Sequence, residues 1–132
     1  MSTESNKALV RRHYEEVLTG KNLAVIDELY APVIALGSGA SIEREQFKAV
    51  AGMMHAAFPD VVVTVQDQIA EGDKVVTRWT AQATHQGDFM GVPATGRRVV
   101  AKAIHIHQIV DGRIAVLWEE FDMFGLMQQL GA

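Results

Sequence analysis

The chain shows two kinds of hydrophobic pattern, one before Pro59 and one after it. Before Pro59, apolar residues recur at helical spacing and predict three helices, over residues 4–18, 23–30 and 43–57. Residues 33–41, between the second and third helices, contain two glycines and are predicted to form a short strand or a loop. We therefore expect the first half of the chain to be mainly helical.

After Pro59 apolar and polar residues alternate, which is typical of strands with one buried face. Residues 61–70 and 74–85 are predicted strands, and a second pair of strands follows a loop rich in Gly and Pro over residues 86–96. A final short helix is expected around residues 123–130. Helices followed by a run of antiparallel strands indicate an α+β fold.

Tight turns predict the register of both pairs of strands. Gly72-Asp73 in the first pair would place Asp67 opposite Arg78, where they are expected to form a cross-strand ion pair. Asp111-Gly112 in the second pair is a strong signal for a hairpin with a two-residue turn. The chain is thus predicted to end in a well-defined hairpin followed by a helix.

The register of the final hairpin predicts which of its side chains share a face. Counting outward from the turn places His105 opposite Trp118, and Ala103 opposite Glu120. Because side chains alternate between the two faces, one face is predicted to collect His105, His107, Trp118, Glu120 and Asp122. Two imidazoles, an indole and two carboxylates on one face suggest a functional site.

Length and composition restrict the class of protein. With 132 residues, the chain is most simply one domain covering residues 1–132. The net charge of -4 and the lack of any basic run disfavour binding to nucleic acid or to an anionic membrane. The absence of cysteine excludes disulfides, thiolate metal sites and a cysteine nucleophile. With no secretory signal and no apolar run of roughly 20 residues, we expect a cytoplasmic protein.

Several short motifs between residues 56 and 131 are informative together. They are Phe58-Pro59-Asp60, Glu71-Gly72-Asp73, Thr84-His85-Gln86-Gly87, Gly91-Val92-Pro93 with Thr95-Gly96, and Trp118-Glu119-Glu120-Phe121-Asp122. In this combination the chain resembles the SnoaL-like polyketide cyclase family, often labelled ester cyclases. The opening helices resemble the family more loosely.

The resemblance implies a fold and an activity. The fold would be the cystatin-like, nuclear-transport-factor-two-like cone, a curved antiparallel sheet wrapped around three N-terminal helices and enclosing an apolar pocket. Members of the family close a ring in an aromatic polyketide methyl ester by intramolecular aldol chemistry, with no metal or organic cofactor. One departure is the apolar run over residues 33–38, where many relatives carry polar residues that would orient a substrate.

The resemblance also implies site residues. The family's aspartate acid/base falls on Asp122, and its histidine on the neighbouring strand matches His105. Desolvation that raises the pKa of Asp122 would let it both take and return a proton. Asp122 also directly precedes the final helix and suits its N-cap, a role compatible with catalysis. The expected substrate-binding residues, each of which could equally be core, are Trp118, Tyr14, His107, Phe58, Met54 and Phe89.

Three hypotheses for function remain open from the sequence. The first is a cofactor-independent enzyme acting on an apolar, cyclic or aromatic carbonyl compound. No metal site is expected, because His105 and His107 need a third ligand and the sequence offers Glu120 and Asp122 for it without an established motif. The second is a non-catalytic protein that binds a small apolar molecule. The third is a dimerisation module whose histidine-rich face packs against a second copy. A homodimer is expected under any of the three.

Overall fold

The computed structural model of the protein describes residues 2–131, which form helices packed on one face of a sheet. The helical elements are α1 (Thr3–Arg12), continued by a π-helical segment (His13–Thr19), a 3₁₀ turn (Leu23–Val25) leading into α2 (Ile26–Leu29), α3 (Arg44–Ala57) and α4 (Met123–Gln129). The strands are β1 (Tyr30–Leu36), β2 (Ser41–Glu43), β3 (Val62–Glu71), β4 (Lys74–Thr84), β5 (Arg98–Val110) and β6 (Arg113–Phe121). None of the helices within residues 2–131 has the length and apolar character needed to cross a bilayer.

The predicted elements are confirmed, with three differences. The second predicted helix begins as a 3₁₀ turn and ends one residue early, at Leu29, because Tyr30 starts β1. The first helix widens into a π-helix at His13, and residues 33–41 contribute to β1 and β2 rather than forming a loop alone. The predicted N-cap is confirmed as well, because the Asp122 carboxylate accepts a hydrogen bond from the Gly125 amide at the start of α4.

The sheet runs in the order β2-β1-β6-β5-β4-β3. Its neighbouring strands are antiparallel except for β1 and β6, which are parallel and make the sheet mixed. Helix α1 and the π-helical segment pack against β3, and α1 also contacts β4. We call the face covered by these helices the inner face and the opposite one the outer face. The α+β class predicted from the sequence is confirmed.

The final hairpin has the predicted turn but not the predicted register. Asp111 and Gly112 both have positive φ, 51° and 77°, as a two-residue hairpin turn of type I′ requires. A β-bulge then inserts Ala115 as an extra residue in β6, since Ile109 pairs with Ile114 while Gln108 pairs with Val116. One extra residue exchanges the two faces of everything beyond it.

The predicted grouping of side chains on this hairpin is therefore wrong. His105 lies opposite Glu119, and His107 lies opposite Leu117, all on the inner face. Trp118 and Glu120 lie on the outer face instead. Phe121 stands between Glu120 and Asp122, so the same alternation predicts it on the opposite face, but it joins the histidines on the inner one. In the first hairpin the predicted pairing of Asp67 with Arg78 is confirmed, with 2.7 Å from Arg78 Nε to Asp67 Oδ2.

Two apolar clusters fill the space between the helices and the inner face. The larger one joins the first two helices to the sheet, and its fully buried members include Val10, Tyr14, Val17, Ile26, Leu29, Tyr30, Ile34 and Ile114. The smaller one lies near α4 and the 86–97 loop and contains Ala57, Phe58, Ala83, Phe89, Val99, Leu126 and Leu130. Buried polar side chains within the larger cluster mark the candidate site.

Candidate active site

His105 lies at the centre of the inner face. Strand β5 alternates buried and exposed residues, and this period places His105 inward with only 4% of its surface exposed. Its neighbours across the sheet are Thr77 on β4 and Glu119 on β6. The imidazole thus has a polar partner on each side within a mostly apolar layer.

Three side chains from different elements are linked through the two ring nitrogens of His105. The Tyr14 hydroxyl lies 2.8 Å from Nδ1, and Glu119 Oε2 lies 2.6 Å from Nε2. The indole nitrogen of Trp79 donates to Nδ1 over 3.2 Å. A hydrogen-bonded chain therefore runs from a tyrosine inside the protein, through an imidazole, to a carboxylate. We call Tyr14, His105 and Glu119 the relay.

The two ends of the relay differ in exposure and in acidity. Tyr14 is fully buried, and this burial raises the pKa of its hydroxyl. Glu119 keeps 48% of its side chain exposed. The hydrogen bond from His105 lowers the pKa of Glu119, although partial burial opposes the effect. At neutral pH the relay thus has a solvent-accessible carboxylate at Glu119 and a neutral phenol at Tyr14.

Two further buried histidines lie beside the relay. His13 Nδ1 is 2.9 Å from the Tyr30 hydroxyl, and burial lowers the pKa of His13 to about 3, with a smaller effect from His105. His107 is fully buried, neither of its ring nitrogens has a partner among residues 2–131, and burial lowers its pKa well below the usual value. Both imidazoles are therefore neutral at physiological pH.

The burial of the histidines overturns the third hypothesis drawn from the sequence. His105 and His107 are 4% and 0% exposed within a single chain, so their face is covered by the protein's own helices. It cannot be a surface that packs against a second copy. Within residues 2–131, no group of three or more His, Asp or Glu side chains is arranged to hold a metal ion.

A depression of about 780 Å³ opens beside Glu119, the solvent-exposed end of the relay. It forms where β1 stops pairing with β6, at Leu36 and Leu117, so that the following residues of β6 have no strand on that side in the described structure. Its lining is largely apolar and includes Leu36, Ile104, Ile106, Leu117, Trp118 and Glu119. A half-exposed carboxylate thus borders a space large enough for a polycyclic ligand.

Trp118 provides the flat surface of this depression. Its indole is held between the β1–β2 turn and Lys74, whose Nζ lies 5.5 Å from the ring centroid. A Cβ atom at Gly37 would lie 2.5 Å from Trp118 Cδ1, so only glycine allows this close approach. Trp118 therefore lines the larger depression, although from the outer face rather than from the predicted one.

Asp122 lies apart from the relay. Its carboxylate caps α4 at 2.9 Å from the Gly125 amide, and no hydrogen bond joins it to His105 in the part of the chain that the structure describes. It borders a smaller depression of about 370 Å³, whose lining also includes Trp79 and Phe121. The role of Asp122 in catalysis stays a prediction.

The remaining predicted substrate-binding residues are spread over the molecule. Phe58 and Phe89 pack together in the smaller apolar cluster, with ring centroids 5.2 Å apart. Met54 lies on α3 and is 36% exposed. The larger depression includes none of these three in its lining. Their contact with a substrate stays a prediction.

The sequence patterns did not indicate Glu119, Trp79, His13 or Tyr30 as residues of the site. For Trp79 a signal existed, because it alternates with Val75 and Ala81 on the buried side of a strand that was predicted correctly. Glu119 stands within a quoted motif but was assigned to the opposite face, because nothing in the sequence marks the bulge at Ala115.

Comparison with known proteins identifies the family. A family model described as SnoaL-like polyketide cyclase matches residues 8–130. Aklanonic acid methyl ester cyclase DnrD from Streptomyces peucetius is 32% identical over 99% of this chain and 92% of its own length. Nogalonic acid methyl ester cyclase from Streptomyces nogalater is 28% identical over 77% of each chain.

The solved structures agree. The structure of TsrD from Streptomyces laurentii superimposes with a TM-score of 0.91 and 29% identity, covering 100% of this chain and 98% of that one. The nuclear-transport-factor-two-like fold implied by the sequence motifs is thereby confirmed. With the family model covering almost the whole chain, the chain belongs to the SnoaL-like polyketide cyclase family.

Proposed function

We propose that this protein is a cofactor-independent cyclase that closes a ring in a small, apolar polyketide methyl ester. Two relatives whose names state an activity are methyl ester cyclases. The observation that carries the proposal is the Glu119 carboxylate, held 2.6 Å from His105 at the edge of the larger depression. A positioned base beside an apolar recess is what an aldol ring closure requires.

Glu119 would act first as the base. Its lowered pKa leaves it ionised at neutral pH, ready to take a proton from a carbon next to a carbonyl group. A carboxylate stabilised in this way is a weak base, so the proposal favours an acidic carbon, such as one between two carbonyl groups. The resulting enolate carbon attacks a second carbonyl in the same molecule and forms the carbon–carbon bond. The new alkoxide oxygen then takes the proton back from the Glu119 carboxyl.

The other relay residues would orient this carboxylate rather than exchange protons with the substrate. His105 is held on both sides of its ring, so its hydrogen bond to Glu119 has one direction. Trp118 offers the flat apolar surface on which a polycyclic aromatic substrate stacks. The apolar run at residues 33–38 suits such a substrate, because Leu36 lines the same recess.

Asp122 remains the rival assignment for the acid/base. The two depressions share Ile104 and Glu120 in their linings, so a substrate extending across both would reach Asp122 as well as Glu119. Geometry favours Glu119, because the Asp122 carboxylate is already engaged as a helix cap.

The test is turnover of polycyclic β-keto methyl esters, followed by chromatography of the cyclised product. We expect Glu119→Gln to lower kcat by about 10²–10⁴-fold, the range typical for loss of a general acid/base, with little change in KM. Full activity of the Glu119→Gln variant would contradict the proposal. Tight binding of these esters without turnover by the natural protein would instead support the non-catalytic alternative.

The remaining expectations from the sequence belong to the same proposal. We propose a single domain over residues 1–132 that acts as a cytoplasmic homodimer, without nucleic-acid or membrane partners. The outer face away from both depressions supports the dimer, because Val62 on β3 and Val100 on β5 are each 50% exposed there. Arg98, two residues before Val100 on the same face, forms an ion pair with Asp60, so this part of the face carries both signs of charge and suits a self-complementary contact.

A further inference from the structure

A lysine lies over the flat apolar surface of the larger depression. Lys74 is the first residue of β4, and it lines the depression together with Trp118. The next residue, Val75, lies opposite His107 on the inner face, so Lys74 lies on the outer face. Its Nζ atom is 5.5 Å from the centroid of the Trp118 ring, in cation–π contact. No other lysine or arginine among residues 2–131 lines this depression.

The charge of Lys74 is not neutralised within the described part of the chain. Glu71 pairs with Lys74 across the tight turn, yet no ion pair joins the two side chains. Asp73, the preceding residue, instead accepts a hydrogen bond from Gln108, with 2.9 Å from Gln108 Nε2 to Asp73 Oδ2. The partner of the ammonium is therefore the ring face of Trp118. A cation held only by a ring face can exchange this contact for an anion.

An aromatic ligand that stacks on this face of Trp118 takes the place of the ammonium. Stacked rings approach to about 3.5–4 Å, which is closer than the 5.5 Å between Nζ and the ring centroid. Lys74 then loses its cation–π contact, and a ligand that offers an anionic oxygen gives it a new partner. A ligand with only neutral ether oxygens does so much less. The depression therefore favours aromatic ligands that carry an acidic hydroxyl group.

The other charges of the depression determine where such an oxygen lies. Glu119 and Glu120 also line the depression and repel an anion from their end. Lys74 pairs with Gln108, whereas Glu119 pairs with His105. These two positions of β5 are three residues, or about 10 Å, apart along the strand. An elongated ligand is thereby given one orientation, with its acidic hydroxyl at Lys74 and its opposite end toward Glu119.

We propose that Lys74 is a specificity-determining residue that binds the ionised phenolic oxygen of an aromatic substrate. Polyketide chains carry oxygen on alternate carbons, so their aromatic rings carry phenolic hydroxyls, and a neighbouring ring carbonyl makes these hydroxyls more acidic. The substrate class is then an aromatic polyketide methyl ester with an acidic phenol at the end remote from the ring that closes. The role in turnover rests on the function proposed above, whereas the preference for the phenolate does not.

The test is calorimetric titration with two probes. They are 1,2-dihydroxyanthraquinone, in mildly alkaline buffer that ionises its more acidic hydroxyl, and its neutral dimethyl ether. We expect the natural protein to bind the phenolate about tenfold more tightly than the ether, the effect of one charge-assisted hydrogen bond. Lys74→Gln should bind the two probes about equally, and Lys74→Arg, which keeps the charge, should restore most of the preference. Lys21→Gln removes the same charge at an exposed position outside both depressions and should keep the full preference.

The same variants separate this role from the chemical step. With a phenolic methyl ester as substrate, Lys74→Gln should raise KM about tenfold and leave kcat little changed, because the contact is equally strong in the ground state and the transition state. Equal binding of the two probes by the natural protein, a preference retained in Lys74→Gln, or binding of neither probe would overturn the proposal. If Glu119 proves not to be the base, the calorimetric preference still decides the role of Lys74, so the two failures are distinguishable.

Discussion

At the scale of single residues, the interior of this protein is marked by three buried imidazoles that lie close together. His13, His105 and His107 lie within 5.3–6.5 Å of one another between ring centroids, inside the larger apolar cluster. Charging His13 or His107 would place a cation among apolar neighbours, and burial accordingly lowers the pKa of both imidazoles. The stability of the protein therefore depends on pH through these two side chains.

The lowered pKa of His13 predicts a loss of stability in mild acid. Below about pH 6.5 the unfolded chain binds a proton at this histidine, whereas the folded protein does not until about pH 3, so stability falls as the pH drops through that window. Between pH 7 and pH 5 this effect alone is about 2 kcal/mol of the free energy of unfolding. Urea unfolding at the two pH values measures it.

A control separates His13 from the other titrating groups. His13→Gln keeps a side-chain acceptor for the Tyr30 hydroxyl and cannot be protonated. Its unfolding free energy should fall less between pH 7 and pH 5 than that of the natural protein, by about 2 kcal/mol. Equal losses in the two proteins would show that His13 does not titrate as its burial implies.

At the scale of elements, the hairpin of β5 and β6 shows how far sequence patterns reach. Alternation and the Asp111-Gly112 turn correctly located both strands and the turn pairing. The bulge at Ala115 could not be predicted, because a bulge depends on how the strand meets its neighbours rather than on a particular residue type. This one residue moved Trp118 and Glu120 to the outer face and brought Glu119 to His105.

The π-helical segment is a second structural feature that no sequence pattern predicted. It begins at His13, and both His13 and Tyr14 direct their side chains into the buried cluster. Helical periodicity correctly predicted a helix there but could not predict its widening, because that depends on the packing of these side chains against the sheet. The sequence patterns therefore predicted the strand that carries His105 but not the hydrogen bonds that its side chain makes.

The contact between the β1–β2 turn and β6 predicts an effect on substrate binding. Gly37→Ala would place a Cβ atom against the Trp118 indole and push this wall of the depression aside. We expect KM to rise several-fold with kcat little changed. Overpacking typically costs about 1–3 kcal/mol, and part of this free energy would appear as weaker substrate binding. Steady-state kinetics would measure the change in KM. The fluorescence of Trp118, recorded in a Trp79→Phe background to remove the other tryptophan, would report the displaced indole.

A second glycine serves as the control for this substitution. A Cβ atom at Gly52 on α3 would have only Leu23 within 4 Å, at an ordinary contact distance of 3.7 Å. Gly52→Ala should therefore leave KM and the Trp118 emission as they are. If Gly37→Ala behaves in the same way as Gly52→Ala, Trp118 is not a wall of the binding site.

At the scale of the whole molecule, the family and the fold could be predicted from short motifs, whereas the site could be described only from the three-dimensional structure. The motifs lie in turns and at strand ends, where backbone geometry restricts residue choice locally. Asp60, for example, accepts hydrogen bonds from the Thr84 amide and hydroxyl, and so ties the start of β3 to the end of β4. A site assembled from α1, β4, β5 and β6 depends instead on register between distant segments.

The outer face predicts the oligomeric state. Val100→Lys adds a charge to the exposed apolar part of β5 without touching either depression, so we expect it to convert a dimer into a monomer. Met53→Lys, on α3 and 70% exposed, adds the same charge elsewhere and should leave the dimer intact. Sedimentation velocity distinguishes the two, and a natural protein that sediments as a monomer would refute the dimer.

In the proposed mechanism, Glu119 is the base and His105 holds its carboxylate in place. The most direct measurement compares single-turnover rates of Glu119→Gln and Asp122→Asn on the same methyl ester. Asparagine caps a helix about as well as aspartate, so Asp122→Asn removes a charge and leaves α4 in place. We predict a rate lowered at least about 100-fold for Glu119→Gln and near the natural value for Asp122→Asn. The reverse order would show that Asp122, and not Glu119, is the base.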